Sequence, residues 1–184
     1  MITMNTKNLL LLASLTLAMP LTAQTPQEDF KRDITLSGSN YVAYHGPQKQ
    51  LTAAPKGYKP FYLSHYGRHG SRYMIGKQAY DVPYFSLLKA KQEGKLTAKG
   101  EETLAKVKMI REEAKGRDGE LTPLGALQHQ GITRRMMERF PEIFAGNTNI
   151  EARSTLVIRC ILSMENGLQQ MLRINPKLHI FHDA

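Results

Sequence analysis

The chain has 184 residues, 41% of them hydrophobic and 22% charged, with a formal net charge of +9. That is long enough for one domain with its own core, and the composition excludes wholesale disorder or a membrane bundle. The positive balance favours anionic partners, but there is no Trp and no basic run interleaved with aromatics, so nucleic acid is not expected.

Met1 to Asn8 carry one Lys and no acid, Leu9 to Met19 form an apolar run broken by Ser14 and Thr16, and Leu21-Thr22-Ala23 follow Pro20. This pattern predicts a signal peptide over residues 1–23, cleaved after Ala23, and hence a secreted or periplasmic protein. A run of about eleven residues is too short to span a bilayer, which takes about twenty, so no stable membrane span is expected. Lys7 is the one charge in this leader, so nearly all of the positive balance belongs to the rest of the chain.

Residues 24–59 are rich in Gly, Pro and polar residues and read as an irregular lead-in to a domain over 60–184. Phe61 to Tyr66 is the first strand candidate, with Gly67 to Arg72 as the loop that leaves it. A helix is predicted over Tyr80 to Gln92, closed by Gly94. The next starts at Thr97 as N-cap, with Leu104, Val107, Ile110 and Ala114 at helical spacing and Gly116 at its end. Thr122-Pro123 opens a third, since Thr caps and Pro at the first position loses no bonded N–H; it runs to Arg139, before Pro141. Asn149 to Ala152 reads as a short strand. Ser154 opens a long helix to Leu172, with Val157, Ile161, Met164, Leu168 and Leu172 as its apolar stripe. Leu178 to Phe181 reads as a second strand. Alternation of strands and helices predicts an α/β domain. The single cysteine, Cys160, has no intramolecular disulfide partner and is expected to be buried in this last helix.

The segment His65-Tyr66-Gly67-Arg68-His69-Gly70-Ser71-Arg72-Tyr73 sets two arginines around a histidine at a strand end. A phosphate monoester is a dianion, and guanidinium groups bind its oxygens in pairs while staying charged at any working pH. Gly70 lets the backbone approach closely. His69, between the arginines, is placed to attack phosphorus.

This string resembles the R-H-G-x-R signature of the histidine acid phosphatases. With His65-Tyr66 before it and Tyr73 after it, it looks most like their multiple inositol polyphosphate phosphatase, or phytase-like, branch. Glu120-Leu121-Thr122-Pro123-Leu124-Gly125 with Gln128-His129 is similar to the family's L-T-x-x-G-x-x-Q-H helix. Ser154-Thr155 with Arg159-Cys160 and Ser163 is similar to its S-T-x-x-x-R-C-x-x-S helix. The blocks stand in family order and span most of the chain after the leader.

The resemblance implies the N-terminal half of a histidine-phosphatase α/β sandwich, a central sheet flanked by helices. It implies a phosphomonoester hydrolase acting on inositol polyphosphates through a phosphohistidine intermediate. His69 would be the nucleophile, Arg68 and Arg72 would clamp the phosphate, and Arg159 would supply a third guanidinium. On an ideal helix Arg159 lies roughly opposite the apolar stripe, near Ser163 and Asn166. No cofactor or metal is implied, because the arginines stabilise the charge. Small phosphate esters are the expected partners. His129 is expected to pack or bond structurally, and His45 has no nameable partner.

Two departures matter. Met74 stands where many members of the family carry Pro. The family's proton donor, in a His-Asp or His-Ala-Glu motif, lies well beyond Ala184. His182-Asp183 copies the dipeptide but follows Arg159 too closely, and reads as the end of an ordinary strand. The expectation is a partial domain, truncated before the proton donor; the alternative is a non-catalytic phosphoanion-binding remnant. The phosphoglycerate mutase branch shares the Arg-His-Gly core, but it continues with an acid or Gln rather than Ser71-Arg72.

Overall fold

The computed structural model describes residues 25–184, apart from 45, 48 and 51 and the side chains of 39 and 40. The expected leader over 1–23 and His45 lie outside the described residues. The chain divides into two compact units, one ending at Ala43 and one running from Tyr44 to Ala184.

In the first unit, helix α1 (Pro26–Arg32) is followed by a 3-10 helix over Ile34–Tyr41. Thr25 Oγ1 accepts from the Glu28 N–H at 3.4 Å, and the Glu28 carboxylate accepts from the Thr25 N–H at 3.0 Å. That reciprocal cap, with Pro26 at the first position, gives helical turns to a stretch whose composition reads as irregular.

The second unit starts with a helix pair. Helix α2 (Gln78–Gln92) packs on helix α3 (Ala98–Glu113). Thr97 caps α3 as predicted, accepting from the Gly100 N–H at 3.1 Å. Arg111 joins the two, its Nε donating to Asp81 at 2.6 Å and its guanidinium lying over the rings of Tyr84 and Phe85. Helix α4 (Pro123–Arg139) then begins at Thr122-Pro123, as the sequence predicts.

Strand β1 (Asn149–Arg153), helix α5 (Ile158–Ile174) and strand β2 (His179–Asp183) make a βαβ unit. The strands are parallel and in register from Asn149 opposite His179 to Arg153 opposite Asp183. Parallel neighbours need a crossover, and α5 supplies it. Met137 of α4, Leu168 and Met171 of α5, Phe144 and Leu178 form the buried core, with Ile150, Ala152 and Ile180 of the sheet packed against it. Among the described residues no helix is long and apolar enough to cross a membrane.

Three local expectations change. Phe61–Tyr66 is not a strand: no described residue offers its backbone a ladder partner, and Phe61, Tyr62 and Tyr66 are 95%, 74% and 100% exposed. Aromatic content marks the segment as strand-like, but a strand exists only where N–H and C=O groups find a neighbour. Leu63 alone of this segment packs against the core.

Ser154 does not cap α5. Its N–H donates to the Asp183 carbonyl at 3.0 Å and continues the sheet, while Val157 takes the cap position without a side-chain bond.

The inner face of α5 is also rotated from the apolar stripe. Ser163, Gly167, Leu168 and Met171 are buried, whereas Val157 and Leu172 are exposed. The cause is close approach to α4: a Cβ on Gly167 would lie 3.0 Å from Thr133 Oγ1. Small residues occupy this contact, and a hydrophobicity pattern does not register them. Cys160 is half-buried rather than buried, as a free thiol on the flank of that face.

Leu168 is 6% exposed at the centre of the core. Leu168→Ala is expected to lower the free energy of unfolding by about 3 kcal/mol, read as a shift of the urea midpoint.

Candidate active site

The 68–72 loop is held from three sides. A Cβ on Gly70 would lie 2.4 Å from the Gly125 carbonyl, and a Cβ on Gly125 would lie 2.3 Å from the Ser71 carbonyl. Two backbones therefore touch here, and any side chain at either glycine would push them apart. Thr122, the cap of α4, has a double role: its Oγ1 accepts from the Gly125 N–H at 3.1 Å and donates to the Ser71 carbonyl at 2.8 Å. The Ser71 N–H donates to Gln128 Oε1 at 2.8 Å. On the other side, the Gly70 N–H donates to Ser163 Oγ at 3.0 Å, and the Ser163 hydroxyl donates to the Arg159 carbonyl at 2.7 Å. One hydroxyl thus ties the loop to the turn of α5 that carries Arg159.

After the loop the chain runs beside residues 119–121. Arg72 forms an antiparallel bridge with Leu121, the Tyr73 N–H donates to the Glu120 carbonyl at 2.9 Å, and the Gly119 N–H donates to the Met74 carbonyl at 2.9 Å. Gly119 has a φ of 72°, a conformation that glycine adopts without a Cβ penalty. The absent side chain also leaves room for Arg159, whose Nη1 lies 3.3 Å from where a Cβ would be. Arg159 is half-buried on the flank of the α5 inner face, not turned to water opposite it.

His69 is half-buried, and its Nδ1 lies 2.8 Å from the Gly70 carbonyl oxygen. A carbonyl only accepts, so Nδ1 carries the proton and the lone pair of the neutral ring is on Nε2. Arg68 is exposed and held through its backbone: His129 Nε2 lies 3.0 Å from the Arg68 carbonyl and donates to it. His129 is half-buried, and burial, together with the neighbouring His65 and His69, pushes its pKa below the ordinary 6.5 against the opposing effect of the Arg68 bond. Its bond to the Arg68 carbonyl shapes the loop, the structural role expected of it.

Arg72 and Arg159 share an unusual feature. The Nε of each is buried and finds no acceptor among the described residues. Arg72 satisfies one branch of its guanidinium, donating from Nη1 to the Tyr73 carbonyl at 2.8 Å. A buried guanidinium N–H without an acceptor is costly, and an anion supplies the acceptor and the countercharge together. No group of three metal-binding side chains occurs among the described residues. His182 is the penultimate residue of β2 and pairs with Glu165 at 2.5 Å, which fits the reading of His182-Asp183 as the end of an ordinary strand.

Sequence reasoning gave no role to Thr122 beyond capping, and named Gln128 and Ser163 only as motif positions. The structure makes all three anchors of the loop. Only Ser163 carried a spacing signal, since it follows Arg159 by about one helical turn.

No family model matches the chain, and neither does any curated protein. Among solved structures it is similar to the multiple inositol polyphosphate phosphatase of Bifidobacterium longum, determined in complex with inositol hexasulfate, at 26% identity and a TM-score of 0.52. The similarity covers 73% of this chain and 29% of that one, so the chain spans less than a third of that protein's length. The mixed helices, the parallel sheet and this likeness together give the α/β class expected from the sequence, matching part of a histidine-phosphatase-like fold.

Gly125→Ala is expected to displace residues 70–72 and destabilise the protein by roughly 1–3 kcal/mol, visible as a lowered melting temperature with helix content retained in circular dichroism. His129 makes a second, pH-dependent contribution. Its folded pKa lies below the unfolded value, so its contribution to stability is full above pH 6.5 and is lost as pH falls through the folded pKa. Stability should therefore fall on acidification from neutrality, and His129→Gln, which keeps a side-chain N–H donor, should flatten that part of the profile in urea titrations.

Proposed function

We propose that this chain binds and turns over phosphate monoesters of the inositol polyphosphate class, with His69 accepting the phosphoryl group. The observation that carries the reading is the pair of buried Nε–H groups on Arg72 and Arg159 beside a loop whose histidine has its proton on Nδ1. The likeness to an inositol polyphosphate phosphatase supports the substrate class. Inositol hexasulfate, the ligand of that protein, is a sulfated counterpart of a fully phosphorylated inositol.

In this reading Arg68, Arg72 and Arg159 take the phosphate oxygens and spread their charge. The Nε2 lone pair of His69 attacks phosphorus. An N–P bond forms, the P–O ester bond breaks, and the departing alkoxide takes a proton from solvent water. Water then attacks the phosphohistidine, breaking N–P and releasing inorganic phosphate while the electron pair returns to Nε2. The proposed leader over 1–23 would deliver the protein to the periplasm or the exterior.

The test uses the full chain with inositol hexakisphosphate, following inorganic phosphate release and acid-labile phosphate on His69. Turnover that His69→Ala abolishes, by about a thousandfold or more, is the expected result. Binding that Arg72→Ala weakens, without turnover in the wild type, would select the phosphoanion-binding reading instead. Neither binding nor turnover would defeat both.

A further inference from the structure

We propose that Tyr73 is a positioning residue for Arg72, held by a bracket of Glu113 and Arg117, and that this bracket sets how tightly the loop takes phosphate. The inference rests on the phosphate-binding reading of the loop.

Tyr73 is 8% exposed, yet its hydroxyl is fully engaged by charged groups. It donates to Glu113 Oε1 at 2.8 Å and accepts from Arg117 Nη1 at 2.7 Å. These partners come from the end of α3 and the turn after it, 40 and 44 residues along the chain. The Arg117 guanidinium also covers the ring, 4.4 Å from its centre, and is held in turn by Glu120 at 3.1 Å. The Tyr73 N–H is bonded to the Glu120 carbonyl at 2.9 Å. Tyr73 is thus fixed at its amide, its ring face and its hydroxyl. Filling space alone would need only the ring; a hydroxyl bridging a carboxylate and a guanidinium fixes the residue's orientation as well.

What remains of Tyr73 is its carbonyl, and that carbonyl accepts from Arg72 Nη1 at 2.8 Å. It therefore decides which edge of the Arg72 guanidinium is occupied by protein. The Nε–H is the donor left buried without an acceptor among the described residues. A shift of the Tyr73 peptide would turn the guanidinium and misalign that donor. Bidentate recognition of an oxyanion tolerates little misalignment, so the bracket acts on affinity through Arg72.

The experiment is calorimetric titration of the full chain with inorganic phosphate, in wild type, Tyr73→Phe, Arg72→Lys and the double variant. Tyr73→Phe removes both hydroxyl bonds and keeps the ring beneath Arg117. It is expected to weaken phosphate about fivefold in the wild-type background and by less than about twofold in Arg72→Lys, because the fork it aligns is already gone. Equal losses in both backgrounds would mean a merely structural role and would overturn the inference. So would no loss from Tyr73→Phe where Arg72→Lys does weaken phosphate. If Tyr73→Phe does not fold, Glu113→Ala at the exposed end of α3 must show the same dependence on Arg72 for the inference to stand. A wild type that takes no phosphate would defeat the reading of the loop, and the bracket's role with it.

Discussion

Everything at the candidate site depends on one backbone contact, the approach of Gly70 and Ser71 to Gly125 in the first turn of α4. The approach is closer than any Cβ permits, so it needs glycine on both sides. It brings the Ser71 carbonyl to the Thr122 amide and hydroxyl and the Ser71 amide to Gln128. The backbone groups of Ser71 are thereby used up by the helix cap and one side chain. His69 keeps its orientation because the peptide next to it cannot turn.

Charge is distributed with the same economy. Arg32, Arg111 and Arg117 each face a carboxylate, Asp29, Asp81 and Glu120 respectively. The Arg111 pair joins α2 and α3, while the other two are local, three residues apart in the chain. Arg72 and Arg159 make no such pair among the described residues, although both are partly buried. A neighbouring acid would lower the cost of burying them and would also occupy the donors they leave open. The protein has kept carboxylates for the bracket around Tyr73, one residue away from the arginine it steadies.

What was legible in the sequence was local. Thr97 and Thr122 announce helix starts because a side-chain oxygen before an amide-rich turn has one obvious use. Gly70 and Gly125 announce a close backbone approach because only glycine leaves room for one. What was not legible depended on partners distant in the chain. Phe61–Tyr66 has the composition of a strand but no ladder neighbour among the described residues. Ser154 looks like a cap, yet its amide serves the sheet through Asp183. The contact between α4 and α5 runs through Thr133, Ser163 and Gly167, which no apolar periodicity marks. The half-buried Arg159 likewise depends on a distant glycine, Gly119, whose missing side chain leaves it room.

The bonds that anchor the loop reach 51, 57 and 93 residues along the chain, to Thr122, Gln128 and Ser163. Closing segments of that size costs chain entropy that no local propensity returns. Helices α3 and α4 carry their own caps and can begin to form early, but the geometry of the loop exists only after α4 and α5 have docked around residues 70–71. Function in this molecule is therefore a late property of the folding chain. A peptide cut from residues 65–73 would carry every charged group of the loop and none of its shape.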